Sequence, residues 1–278
     1  MPSAPLRVGS VPYLVGRPLD DGLERERGIE YSRCVPAELV EGLRAGRLDV
    51  ALVSSIELFC EPGYRYLAGL AIAGRGAVGS VQLFLRKPLA EVRTVALDPA
   101  SRTAATLVQV LLGGEALRFE ECARGVDPRS VAADAWLRIG DEALRETPAA
   151  DAPPVFNPSR EWCARTRLPF VFAAWIVRPG VELAPEQLAA FARARARGRL
   201  RVDELAREAA REWHIAEKDC LYYLREECAY ELGADEMRRV LFAFRDGAAP
   251  LGLARAELAP DAIAIAPLSA AAPAPLPR

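Results

Sequence analysis

The chain holds a single histidine, His214, in 278 residues. That excludes a His-rich metal site and any His-based triad elsewhere in the chain. His214 follows Trp213 in a helical pattern, a setting for structure more than for chemistry. The six cysteines, Cys34, Cys60, Cys122, Cys163, Cys220 and Cys228, show no CxxC spacing. Neither a disulfide framework nor a zinc site is implied, and reduced thiols are expected. Charge of one sign is not in excess: 36 basic residues stand against 38 acidic ones, a net charge of -2. No nucleic-acid surface is indicated. No window approaches the roughly 18 uncharged apolar residues of a membrane span. The amino-terminal MPSAPLRVGSV also lacks the long apolar core of a signal peptide. A cytoplasmic protein with no membrane or nucleic-acid partner is therefore expected. The oligomeric state stays open.

What is present is alternation of short apolar runs with helix patterns. Residues 6–11 read as a strand, then a loop holding Tyr13, then a helix start at Pro18. Residues 29–35 read as a second strand. Pro36 follows where a first helical residue belongs, and Gly46 closes that helix. Residues 48–53 are near-continuously apolar, the mark of a strand buried on both faces, and end in Ser54-Ser55. A β-α-β-α-β order implies a parallel sheet, with ligands beyond the carboxyl ends of its strands. The alternation recurs from residue 92 to 139, where a strand ends in Gly140-Asp141. Residues 168–177, LPFVFAAWIV, form the longest apolar run. Helix patterns fill 185–197, 202–213, 218–232 and 235–244. Tyr222, Tyr223 and Tyr230 fall in the third and read as packing. The fold expected is α/β: two lobes joined by crossover strands near 81–89 and 170–179, with a cleft between them. Residues 1–86 with 175–258 form the first lobe and 87–174 the second. Residues 259–278 are an Ala/Pro-rich tail without period.

One stretch reads as an anion site. The strand at 92–97 meets Asp98-Pro99-Ala100-Ser101-Arg102-Thr103, and a helix pattern follows to Leu112. A helix start exposes free N–H groups and the positive end of the macrodipole. Ser101 is a suitable N-cap, Thr103 adds a hydroxyl, and Arg102 offers a fork that fits a carboxylate. The same segment is equally a capped helix with a solvated arginine. The loop is not glycine-rich, so it is no P-loop.

Six segments, RVGSVPYL, PAELVEGLRAGRLDVALVSSIE, GRGAVGSVQLF, VALDPASRTAATL, IGDEAL and LPFVFAAW, occur in this order. Together they resemble the menaquinone biosynthesis enzymes of the futalosine pathway (the MqnA/MqnD family), and most of all the chorismate dehydratase branch. The resemblance implies a periplasmic-binding-protein-like type II fold, a cytosolic enzyme and no metal or organic cofactor. It implies a hydro-lyase that takes the small dicarboxylate chorismate to 3-[(1-carboxyvinyl)oxy]benzoate. Ser80 matches the serine of the family's SV motif beside Gly79. Ser80 and Asp141 are the expected catalytic groups, although Asp141 reads equally as a cap of the helix that follows. Tyr13, Ser54, Ser55, Gly79, Ser101, Arg102 and Thr103 are the expected substrate contacts. One position departs from the pattern: the usual YLN is Tyr13-Leu14-Val15. The alternatives are the family's 1,4-dihydroxy-6-naphthoate synthase, where an active-site histidine is expected, and a non-catalytic cytosolic carboxylate-binding protein.

Overall fold

The computed structural model describes residues 4–114, 117–147 and 153–265. Among the described residues twelve strands lie in two sheets. They are β1 Leu6–Ser10, β2 Ile29–Arg33, β3 Val50–Ser54, β4 Arg65–Gly74, β5 Val81–Leu85, β6 Thr94–Leu97, β7 Arg118–Glu121, β8 Ala135–Ile139, β9 Val155–Phe156, β10 Phe170–Val177, β11 Cys228–Glu231 and β12 Asp261–Ile263. The larger sheet runs β11-β4-β10-β3-β1-β2, with β12 also paired to β4, and the smaller runs β7-β6-β8-β5-β9. In the larger sheet β1, β2 and β3 are parallel, while β10 lies antiparallel between β3 and β4. In the smaller one β6, β7 and β8 are parallel and β5 opposes β8. Each sheet thus has a parallel half whose carboxyl ends face the space between the lobes.

The buried strands are those with continuous apolar runs. Every residue of β3, β5 and β10 is buried, which only strands covered on both faces require. Helices obey their punctuation. Pro36 opens the Pro36–Arg44 helix at its first turn. Ser101 caps the Arg102–Leu112 helix, its Oγ accepting the Ala104 N–H at 3.2 Å; such a cap contributes about 1 kcal/mol. That helix buries Ala104, Leu107, Val108 and Leu111, an i, i+3, i+4, i+7 stripe. Trp162, Phe170, Phe172 and Phe244 form an aromatic cluster beneath the larger sheet, with Phe170 at its centre. In the smaller lobe Trp136 stacks on Phe84, ring centroids 5.3 Å apart.

Several expectations move. The strand at 81–85 lies in the smaller sheet and all of β10 lies in the larger, so the chain crosses between sheets at residues 75–80 and again between β9 and β10. Apolar runs report burial and not which sheet buries them. The helix expected over 218–232 ends at Tyr222; a π-helical turn, Tyr223–Glu227, follows, then β11. Helical propensity yields there to the open edge of β4, whose N–H and C=O groups need partners. β11 pairs with one half of that ten-residue strand and β12 with the other. Residues 261–263 of the expected tail are therefore sheet, while 266–278 lie outside the described residues. Between β7 and β8 the chain makes a single 3-10 turn, Pro128–Ser130.

Candidate active site between the two sheets

A cleft opens where the carboxyl ends of β1 and β3 face those of β6 and β8. Tyr13 and Val15 line it from the turn after β1, Ser54 from the end of β3, Ala100 and Ser101 from the loop after β6, and Gly140 from the end of β8. Ser80 enters from the first crossover, and Cys228 of β11 and Phe172 of β10 close the far side. The walls are mostly apolar and, among the described residues, no charged side chain lines them.

The expected residues separate into those that face the cleft and those that build it. Tyr13, Ser54, Ser80 and Ser101 face it. Ser80 Oγ accepts a hydrogen bond from Tyr223 Oη at 2.6 Å, both side chains being buried. Gly79 stands beside the lining: its N–H donates to Glu227 Oε2 at 2.7 Å, which anchors the crossover. Ser55 and Thr103 do not line the cleft. Ser55 Oγ donates to the Val171 carbonyl at 2.7 Å, and Thr103 Oγ1 accepts the Ile56 N–H at 3.1 Å. Both hydroxyls are spent stitching the end of β3 to its neighbours. Arg102 is likewise placed otherwise than expected. Its guanidinium pairs with Glu57, a buried carboxylate that Arg44 also holds at 2.7 Å. It opens on an adjoining groove that shares Pro36, Ser54 and Ala100 with the cleft. A buried carboxylate is a stronger partner than solvent, so the arginine turns to it. The helix start keeps its dipole and first-turn donors at the cleft without that side chain.

Asp141 is buried just behind the cleft, and Oδ1 accepts the Leu14 N–H at 3.3 Å. It sits in the first turn of the Gly140–Glu146 helix, so the capping alternative does not describe its bond: it holds the turn after β1, in the other lobe. Burial pushes its carboxyl up to about 6. Burial, then the Asp98 and Asp141 carboxylates, push the Tyr13 phenol up to about 12, so it stays protonated and able to donate. Gly140 has φ +69, and a Cβ there would meet the Tyr13 ring at 3.3 Å; both the conformation and the close approach select glycine. Asp98 joins the strand ends, accepting from the Ala100 N–H at 2.9 Å and the Ile139 N–H at 3.2 Å.

Three residues near the site were not foreseen: Tyr223, Glu227 and Cys228. All three belong to the region expected to be one helix. The alternation of buried Cys228 and Tyr230 with the more open Ala229 and Glu231 is the one local signal of a strand there. His214 ends the Val202–Trp213 helix in the left-handed conformation, φ +55, and does not line the cleft. Among the described residues no cluster of three or more His, Cys, Asp or Glu is placed to hold a metal, and no helix is long and apolar enough to cross a membrane.

Comparisons with known proteins agree with this architecture. A chorismate dehydratase of Thermus thermophilus is 33% identical, over 72% of this chain and 82% of that one. The crystal structure of a protein from Archaeoglobus fulgidus superposes with a TM-score of 0.74 at 18% identity, covering 91% of this chain and all of the other. The periplasmic aliphatic sulphonate binding protein of Escherichia coli superposes at 0.60 with 15% identity, covering 91% and 94%. The fold is periplasmic-binding-protein-like. A family model described as menaquinone biosynthesis matches residues 6–248, which include the whole cleft and every strand but β12. The chain belongs to the menaquinone biosynthesis family.

Proposed function

We propose that this cleft binds chorismate and eliminates water from it, giving 3-[(1-carboxyvinyl)oxy]benzoate. The observation that carries the reading is a cleft of hydroxyls and a helix start in apolar walls, in a chain 33% identical to a chorismate dehydratase. Elimination takes a proton from ring C3 and the hydroxyl from C4, and the ring becomes aromatic. The step is downhill, so the protein's task is to fix geometry and assist two bond cleavages.

Each cleft residue has a part in this reading. The Ser101 helix start, with its N–H donors and dipole, holds one carboxylate. Ser80 donates to the departing hydroxyl. Tyr13 and Ser54 add hydrogen bonds to the substrate. Asp141, expected as a base, is assigned to positioning: through Leu14 it fixes the turn that carries Tyr13 and Val15. A substrate carboxylate takes the C3 proton and passes it to the departing C4 hydroxyl, which leaves as water, so the carboxylate and Ser80 end in the protonation states in which they began. The sibling synthase reaction finds no histidine in this cleft.

The test is incubation of the purified protein with chorismate, followed by chromatography and absorbance for the aromatic product. Stoichiometric conversion supports the reading. Chorismate recovered unchanged from folded protein overturns it.

A further inference from the structure

We propose that Tyr223 is a positioning residue that makes the Ser80 hydroxyl a directed donor into the cleft. This rests on the dehydratase reading above. Ser80 lines the cleft and Tyr223 does not, so Tyr223 acts on a ligand only through Ser80. Its phenol donates to Ser80 Oγ at 2.6 Å, with 2% and 6% of the two residues exposed. A serine hydroxyl carries one hydrogen and two acceptor sites. With one acceptor site filled from behind by Tyr223, the hydrogen of Ser80 is left to point towards the ligand. Accepting a bond also polarises an O–H and strengthens it as a donor.

The surroundings keep the phenol a donor. The groups facing the Tyr223 phenol are Ser80, Cys228 and Tyr230, with no cation among them, and burial holds the phenol protonated. Its place comes from the π-helical turn Tyr223–Glu227, a geometry found often at functional sites. The two ends of this turn grip adjacent residues of the crossover. Tyr223 takes the Ser80 side chain, and Glu227 accepts the Gly79 N–H at 2.7 Å. The turn therefore sets both where Ser80 stands and how its hydroxyl points.

Tyr223→Phe keeps the ring and removes only the donor. We expect kcat for chorismate to fall roughly 10- to 100-fold, one indirect donor being worth less than a direct one, with KM within about threefold and the melting temperature nearly unchanged. Ser80→Ala should lower kcat further, and Tyr223→Phe added to Ser80→Ala should change nothing more, because the two act as one unit. Unchanged kcat in Tyr223→Phe, or losses that simply multiply in the double variant, overturns the inference. Crystal structures of the wild type and Tyr223→Phe give a readout independent of turnover: Ser80 should hold one rotamer in the first and spread over more than one in the second. If the wild type is inert on chorismate, the functional reading falls. The Ser80 rotamer then decides this inference alone, and an identical rotamer in both proteins overturns it.

Discussion

Val15→Asn restores the amide that the family pattern places two residues after Tyr13, and its consequences separate into two measurable parts. Val15 is 8% exposed and lines the cleft close to Tyr13 and Gly140. The wall it shares is mostly apolar, with Val11, Val53 and Val81 among its residues, so an amide there has few side-chain partners in the free protein. An unsatisfied buried polar group costs about 1–3 kcal/mol. For a chain of this size that corresponds to a melting temperature lower by roughly 2–5 °C. On the dehydratase reading the amide donates to the substrate, and one preorganised donor is worth about 2.7–4 kcal/mol at the transition state. The variant should thus melt earlier yet turn over chorismate faster, with kcat raised by on the order of a hundredfold and KM little changed. Initial rates at saturating chorismate, taken beside thermal melts, measure both. If kcat stays flat or drops while the variant remains folded at the assay temperature, the turn has been rebuilt around valine and the reasoning fails.

Three further outcomes follow from the same geometry. Asp141 is pushed from 3.8 up to about 6 by burial; the folded state then binds its proton more tightly than the unfolded state, so stability from this group is lost as pH rises from about 4 to about 6 and stays low above. Asp141→Asn keeps an acceptor for the Leu14 N–H and removes the charge, so it should raise stability at pH 7–8 by roughly 2–3 kcal/mol and leave it little changed at pH 4; a wild-type-minus-variant difference flat across pH refutes this. Arg102→Ala should lower stability by about 1–2 kcal/mol, a figure discounted because Arg102 is 46% exposed and Arg44 still holds Glu57; ligand affinity should change less than tenfold, and a larger loss in calorimetric titration with isophthalate would return Arg102 to the cleft. Phe170→Ala opens the aromatic cluster at Trp162, Phe172 and Phe244, centroids 5.3, 4.8 and 4.9 Å away, and should cost about 3–5 kcal/mol in denaturant unfolding.

Local rules were enough wherever the local sequence decides the outcome. Pro36 and Ser101 open their helices because a fixed φ and a short hydroxyl each satisfy a helix start with nothing else present. The carboxyl ends of β1, β3, β6 and β8 were legible too, and with them the cleft-lining Tyr13, Ser54 and Ser101; at the end of β8 it is Gly140 and not the expected Asp141 that faces the cleft. What failed depends on partners far along the chain. Arg102 reads as free until Glu57, 45 residues away, turns out to be buried. Ser55 and Thr103 read as ligands until the chain brings Val171 and Ile56 to them. Residues 228–231 read as helix until the edge of β4 demands a strand.

The cleft's want of a cation bears on the chemistry proposed for it. Among the described residues its walls offer hydroxyls, backbone N–H groups and a helix start, and no guanidinium or ammonium. An arginine gripping the enolpyruvyl carboxylate would hold substrate and transition state about equally, which lowers KM without raising kcat. It would also stabilise the ionised carboxylate and so weaken it as a base. Apolar walls act in the opposite direction: they disfavour the charged form and raise its proton affinity. A carboxylate placed against Val53, Val81 and Phe172 is therefore a stronger acceptor for the C3 proton than the same group in water. The hydroxyl leaving from C4 meets a neutral donor whose strength is enhanced by the same low dielectric. The charge that moves in the reaction belongs to the substrate, and the protein supplies dipoles fixed in advance. On this account the helix start holds the other carboxylate, and Arg102, paired with Glu57, leaves the proton-accepting one without a guanidinium partner.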